Sequence, residues 1–174
     1  MFTRILIGLV VAGLAVVGVP GFATADPDPA PGPPPITSFA LVKPSEYTVL
    51  DGTTYAFSVN GDVTCIISRN SGRYGCSGNL PAAPGNYVTG SQTGQVGFAT
   101  NDAPIIRGVD VFKPLPPGSR IAFKNVTCGY DGTTMECRNT FDQSGFVLSP
   151  AGSFILNPSN PLLDRPEGTN PYFN

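Results

Sequence analysis

Apolar and polar residues alternate in short runs between residues 36 and 156, and glycine, proline, asparagine and aspartate stand between the runs. Thr53 to Val59 alternates around Tyr55 and Phe57. Asp62 to Ser68 carries Val63, Cys65 and Ile67 on one parity, with Thr64 and Ile66 on the other. Gly94 to Thr100 and Ile105 to Phe112 are of the same kind. Arg120 to Cys128 alternates through Ile121, Phe123 and Asn125 and then changes parity near Val126, the mark of a bulge or bend. Phe146 to Leu156 forms two short runs broken by Ser149-Pro150-Ala151-Gly152. A period of two over a few residues, bounded by turn formers, describes half-buried strands. No window sustains a helical period. With 21 glycines and 19 prolines to supply the turns, the pattern predicts an all-β domain, a small β-sandwich or barrel.

The two ends of the chain follow other rules. Arg4 precedes an apolar stretch from Ile5 to Val19, Pro20-Gly21 breaks it, and Ala23-Thr24-Ala25 follows. A charged start, an apolar centre and an A-x-A site predict a secretory signal peptide, cleaved between Ala25 and Asp26. The apolar run has 15 residues; a membrane-spanning helix needs about 20. The expected organisation is a signal peptide at 1–25, a proline-rich spacer DPDPAPGPPP at 26–35, the β-domain at 36–156 and a Pro/Asn-rich tail at 157–174. The tail is expected either to drape over the domain or to lack order. No other stretch is apolar enough to span a bilayer, so the mature chain is expected to be secreted, to the medium or the cell envelope, without a transmembrane segment.

Export gives the cysteines their meaning. Cys65 and Cys76 enclose ten residues and Cys128 and Cys137 enclose eight. Short cysteine-bounded loops in an exported chain read as disulfide-clamped hairpins. The first midpoint falls in Arg69-Asn70-Ser71-Gly72 and the second in Asp131-Gly132-Thr133-Thr134, both good turn sequences. Spacing alone leaves three connectivities open; the turn midpoints favour Cys65–Cys76 and Cys128–Cys137. Redox-active pairs usually have C-x-x-C spacing, which neither pair has. Val63-Thr64-Cys65 recurs as Val126-Thr127-Cys128, and Ala56-Phe57 before the first has a counterpart in Ala122-Phe123 before the second. This similarity records either an internal duplication or the chance likeness of two hairpins.

Composition narrows the chemistry. The chain has no histidine, which removes Ser-His-Asp and Cys-His catalysis and histidine metal sites. Disulfide-bonded cysteines are neither nucleophiles nor metal ligands. Removing 25 residues from 174 leaves 149, and loss of Arg4 moves the net charge from −2 to −3. A mildly acidic chain with no basic cluster is not expected to bind nucleic acid. No cofactor and no metal site is expected, and no EF-hand-type D-x-D-x-D-G loop is present.

Two stretches carry a resemblance. YAFSVNGDVTCIISRNSGRYGCSG resembles the first half of small exported proteins from mycobacteria and related actinobacteria, and LPPGSRIAFKNVTCGYDGTTMECRNTFDQSGFVLS, with its Ser144-Gly145-Phe146, resembles their second half. The spacer after the A-x-A site is also similar. The resemblance covers Thr53 to Ser149 and implies an exported protein with two cysteine-clamped hairpins. It carries over no activity, cofactor or site residue.

The remaining candidates are few. Asp51-Gly52, Asp62 and Asp131-Gly132 are expected to set turns. Asp102, Asp110, Glu136 and Asp142 are the carboxylates from which a glycosidase-type pair would be drawn. Tyr74, Tyr87 and Tyr130 lie near hairpins or loops and are candidate exposed contact residues, with half-buried packing as the ordinary alternative. Asn125-Val126-Thr127 matches a glycosylation acceptor but reads as strand sequence in a bacterial protein. The expected function is contact by a non-catalytic domain with an envelope or extracellular partner. The alternatives are a carrier of a lipid or small apolar ligand and, third, a carboxylate-based hydrolase.

Overall fold

The computed structural model describes residues 35–92 and 95–158. The expected signal peptide with its Ala25–Asp26 junction, the spacer apart from Pro35, and the tail from residue 159 lie outside the described residues.

Among the described residues twelve strands form in chain order: β1 Ala40–Leu41, β2 Thr48–Val49, β3 Thr54–Val59, β4 Val63–Ser68, β5 Tyr74–Gly78, β6 Tyr87–Gly90, β7 Gly97–Ala99, β8 Ser119–Phe123, β9 Val126–Tyr130, β10 Met135–Asn139, β11 Gly145–Leu148 and β12 Phe154–Leu156. Single turns of 3-10 helix occur at Ile36–Ser38 and Pro44–Tyr47. The strands make two six-stranded sheets, ordered β2-β3-β4-β5-β6-β7 and β1-β8-β9-β10-β11-β12. One buried apolar cluster draws on both sheets, Phe57, Ile67, Tyr74 and Val88 from the first and Ile121, Val126, Phe146 and Leu148 from the second. The protein is therefore an all-β, disulfide-clamped sandwich.

Both disulfides form with the pairing that the turn midpoints favour, each with its Cα atoms 4.0 Å apart. Each joins directly opposed residues of neighbouring strands, Cys65 with Cys76 and Cys128 with Cys137. The cystines occupy matching places in the two sheets. Across the first sheet the inward row runs Phe57–Cys65–Cys76–Val88–Phe98. Across the second it runs Ile121–Cys128–Cys137–Phe146–Ile155. The two Val-Thr-Cys triplets are thus structural equivalents. The two Ala-Phe pairs are not: Phe57 lies opposite Cys65, whereas Ile121 and not Phe123 lies opposite Cys128.

The segments leading into the two meanders change places. Ala40–Leu41 pairs in parallel with β8 of the second sheet. Lys113–Leu115 runs in parallel beside β3 of the first, where the Ser58 amide donates to the Lys113 carbonyl and the Leu115 amide to the Ser58 carbonyl. The second sheet thereby has an edge strand, and the first an isolated bridge at Pro114, supplied from the other half.

One sequence expectation needs correction and a second is narrowed. Ile105–Phe112 is not a strand but an irregular cover: Ile105, Ile106, Val109 and Phe112 pack on Ala56, Ile66 and Val49, on the outer side of the first sheet. The residues are apolar because they bury a sheet face, not because they join a ladder. The parity change near Val126 is not a bulge within one strand but a bend that reverses the chain. Phe123 pairs with Val126, which leaves Lys124-Asn125 as a two-residue turn with Lys124 at φ +51°.

Candidate functional site

The end of the sandwich where β10 turns into β11 gathers the unusual features. Here the inward positions of the second sheet change from apolar to polar. Asn139 and Ser144 are buried, and Phe141 between them is 81% exposed. Asn139, Thr140, Asp142 and Gln143 bond to the backbone through their side chains, and the Ser144 side chain bonds to Asp142. Asn139 accepts from the Phe141 amide at 3.0 Å through Oδ1 and donates to the Gln92 carbonyl at 2.9 Å through Nδ2. Thr140 donates through Oγ1 to the Asn125 carbonyl, and Gln143 through Nε2 to the Thr140 carbonyl. Asp142 Oδ1 accepts from the Ser144 amide at 3.0 Å and from the Ser144 hydroxyl at 2.7 Å. The turn is held by its own side chains, and the residue it holds in water is a phenylalanine.

Beside this turn is a cleft of about 290 Å³. Its walls are Gln95 and Val96 before β7, Asp142 and Ser144 of the turn, Ile155 and Leu156 of β12, and Asn157 and Pro158 beyond it. Behind it sits Tyr74, fully buried, whose hydroxyl has no hydrogen-bond partner among the described residues. Its surroundings are fixed by Gly90: a Cβ there would lie 2.7 Å from Tyr74 Cζ, 2.8 Å from Tyr74 Oη and 2.9 Å from Val96 Cγ2. Only glycine leaves room for a tyrosine ring between β6 and the cleft wall. Burial pushes the Tyr74 phenol above its ordinary value; the neighbouring Ser144 hydroxyl opposes the shift and the Asp142 carboxylate adds to it. The Ser144 hydroxyl donates to Asp142, and the Tyr74 hydroxyl beside it has no hydrogen bond of good geometry among the described residues.

A second groove, also of about 290 Å³, lies on the outer side of the first sheet. Asp62, Thr64, Ser77, Asn86, Asn101 and Asp102 line it. It brings Asp102 to Asp62, which the sequence marks only as a turn former. Glu136 sits on the outer side of the second sheet, where its Oε1 accepts from Arg138 Nε at 2.8 Å. Asp142 belongs to the cleft, and Asp110 to the stretch between Val109 and Phe112 of the irregular cover. The four carboxylates are not brought together as one site. Among the described residues no cluster of three or more Cys, Asp or Glu is placed to hold a metal ion, and no helix is long and apolar enough to cross a membrane.

The candidate contact tyrosines are corrected in one respect: none presents an exposed ring. Tyr74, Tyr87 and Tyr130 are 0, 8 and 6% exposed. Tyr74 and Tyr130 point into the core because they share parity with the cystines. The Tyr87 hydroxyl accepts from Arg73 Nη2 at 3.0 Å, and the Tyr130 hydroxyl lies within hydrogen-bond reach of the Gly132 carbonyl and the Asn60 side-chain amide, with one proton to share between them. Asp131 behaves as expected of a turn former, its Oδ1 accepting from the amides of Thr133 and Thr134 at 2.7 and 2.6 Å. Phe141 is not among the residues that the sequence singles out. The signal for it is an isolated phenylalanine within Asn139-Thr140-Phe141-Asp142-Gln143-Ser144, a run otherwise polar.

The fold and the site define a two-sheet β-sandwich with a built turn and cleft at one end. No family model, curated protein or solved structure matches the chain.

Proposed function

We propose that the protein is an exported, non-catalytic β-sandwich that acts by contact in the cell envelope or medium, using the β10–β11 end. The observation that carries this reading is Phe141. Leaving a phenylalanine in water forgoes about 1.5–3 kcal/mol that burial would supply. A floppy turn would let the ring fold back onto the apolar wall. The bonds from Asn139, Thr140, Asp142, Gln143 and Ser144 oppose that. A rigid, exposed aromatic is the ordinary anchor of a contact surface, since little conformational entropy is lost when it docks. Two disulfides suit an oxidising compartment, in line with the signal peptide that the sequence leads one to expect at 1–25. The carrier alternative draws on the cleft rather than on the space between the sheets, which Phe57, Tyr74, Phe146 and the cystines fill.

The test is co-sedimentation of purified protein with the isolated cell envelope of its producer. Wild type is expected in the pellet and Phe141→Ser in the supernatant. Equal partition of the two proteins would remove Phe141 from the function. Turnover of a substrate, abolished by a single Asp or Glu substitution, would overturn the non-catalytic reading.

A further inference from the structure

The turns around Phe141 carry a second exposed apolar residue and two cations. We infer that this end of the sandwich is a docking tip for an anionic lipid surface, with Phe141 and Leu50 entering the interface and Arg69 and Lys124 meeting the headgroups; the inference rests on the contact reading just given and names its partner.

Three observations carry it. First, four turns are tied together here, and each exposed apolar residue stands beside a cation. Leu50, 43% exposed, sits in the β2–β3 turn with its backbone left-handed at φ +50°, a conformation that leucine rarely takes. Thr53 fixes that turn by donating to the Leu50 carbonyl through its amide and its Oγ1. Arg69 of the β4–β5 turn donates through Nη1 to the Gly52 carbonyl. Its guanidinium lies 5.9 Å, and the Lys124 ammonium 5.5 Å, from the centre of the Phe123 ring, so both cations flank one aromatic at the entry to the β8–β9 turn. The Thr140 amide donates to the Asn125 carbonyl at 2.7 Å, which joins the turn of Lys124 to that of Phe141. Second, the charge is divided between the ends. Basic and acidic side chains are equal in number among the described residues. The turns at the Phe141 end hold Arg69, Arg73 and Lys124 against Asp51 and Asp142. The described turns at the opposite end hold Asp62, Asp102 and Asp131 with no Lys or Arg. Asp62 and Asp102 line one groove there, and the Tyr130 hydroxyl, between Asn60 and Gly132, brings the turns of Asp62 and Asp131 together. A domain polarised in this way turns its basic end toward a negative surface and its acidic end away from it. Third, the pairing of groups fits lipid. A bilayer interface takes apolar side chains from separate turns without matched pockets, while anionic headgroups attract the cations beside them. A soluble anion would leave Phe141 and Leu50 in water, and an uncharged apolar surface would strip water from Arg69 and Lys124 with no partner in return.

The test is flotation of the purified secreted protein with two kinds of vesicle, phosphatidylcholine alone and phosphatidylcholine mixed in equal parts with phosphatidylglycerol. The protein is expected to float with the mixed vesicles and not with the neutral ones, and to be released in about 1 M salt, where the screening length falls to about 3 Å. Phe141→Ser is expected to lower partition by about tenfold or more. Lys124→Asn removes one cation and keeps the turn, since asparagine tolerates left-handed backbone; partition is expected to fall by about fivefold. Val111→Ser, on the irregular cover and 84% exposed in the wild type, is expected to change nothing. No flotation with the mixed vesicles, equal flotation with both kinds, or a loss in Val111→Ser equal to that in Phe141→Ser overturns the inference. Phe141-dependent sedimentation with the cell envelope but no vesicle binding would also overturn it, while the contact reading would stand with a protein as partner. Absence of both would remove the contact reading as well.

Discussion

The ring of Tyr74 in β5 lies nearly parallel to the ring of Phe146 in β11, with centroids 6.0 Å apart and planes inclined by 15°. This stack joins the two sheets. Both residues are fully buried, but their substitutions should behave differently. Phe146→Ala opens a cavity beside Cys137 and is expected to cost about 3–5 kcal/mol in urea unfolding. Tyr74→Phe keeps the stack and removes a hydroxyl that has no partner among the described residues. Stability should be unchanged or higher by about 1 kcal/mol. A loss of that size or more would mean that the hydroxyl is bonded in the folded protein.

The cystines are expected to resist reduction in the native state. All four cysteines are 0% exposed and lie on the inner faces. Native protein incubated with dithiothreitol and then alkylated should show no added mass, and protein reduced in denaturant should show four alkyl groups. Labelling of one pair in native buffer would show that its hairpin opens locally. Removing one clamp as Cys65→Ala with Cys76→Ala should lower stability by about 2–3 kcal/mol, the chain-entropy figure for so short a loop.

Much of this architecture is legible in the sequence, for local reasons. A hairpin centre depends on turn residues and on equal spacing either side, so both clamps can be read from Asn70-Ser71 and Gly132-Thr133. Parity is legible wherever large apolar residues alternate, as in β3 and β4. It fails in β5 and β6, where Gly75, Gly78 and Gly90 stand in for side chains. At Gly75 a Cβ would lie 2.2 Å from the Val88 carbonyl oxygen, so backbone packing rather than burial selects the residue and the hydrophobic period is lost. The cover at Ile105–Phe112 mimics a strand because an apolar strip laid over a sheet has the composition of one. Depth is not legible at all: Tyr74, Tyr87 and Tyr130 sit beside turns in sequence yet are buried. The cleft unites Gln95 and Val96, Asp142 and Ser144, and residues 155–158, which no local pattern connects.

One surface ion pair sets a pH dependence. Lys113 reaches Glu46 across 67 positions of sequence and also lies 4.9 Å from the centre of the Tyr47 ring. The hydrogen bond and charge of Lys113 hold the Glu46 carboxyl below its ordinary value, and the same bond holds the Lys113 ammonium above its own. A lowered carboxyl value means stability that is present above the unfolded carboxylate range and lost as pH falls through the folded value. A raised ammonium value means stability that is present below the unfolded lysine value and lost as pH rises through the folded one. Both partners are solvent-exposed, so salt should weaken the effect. A carbon-detected NMR titration should find Glu46 titrating below 4.5 in wild type and returning toward that value in Lys113→Met. An identical titration in the two proteins would mean that the pair does not form in solution.

The exchange of edge segments between the two halves makes the most specific prediction. Leu115 is 2% exposed and belongs to the central core, while Val42, on the reciprocal segment, is only partly buried against it. Both segments are tied by backbone bonds: Leu115 donates to the Ser58 carbonyl at 3.0 Å and Val42 to the Arg120 carbonyl at 2.9 Å. The side chain at 115 therefore anchors the edge of the first sheet, and the one at 42 contributes to the edge of the second. Leu115→Ala should cost about 2–5 kcal/mol, and Val42→Ala about 1 kcal/mol, in proportion to the smaller apolar area it buries. Hydrogen exchange locates each effect. The Ser58 amide donates to the Lys113 carbonyl, so in Leu115→Ala it should exchange faster by about tenfold or more through local opening of that edge. The Val42 amide, on the far sheet, should keep its protection in Leu115→Ala and lose it in Val42→Ala. Equal acceleration of both amides in either variant would mean that the edges open only with the whole domain, and that the exchanged segments are one cooperative unit with the core rather than two separable clasps.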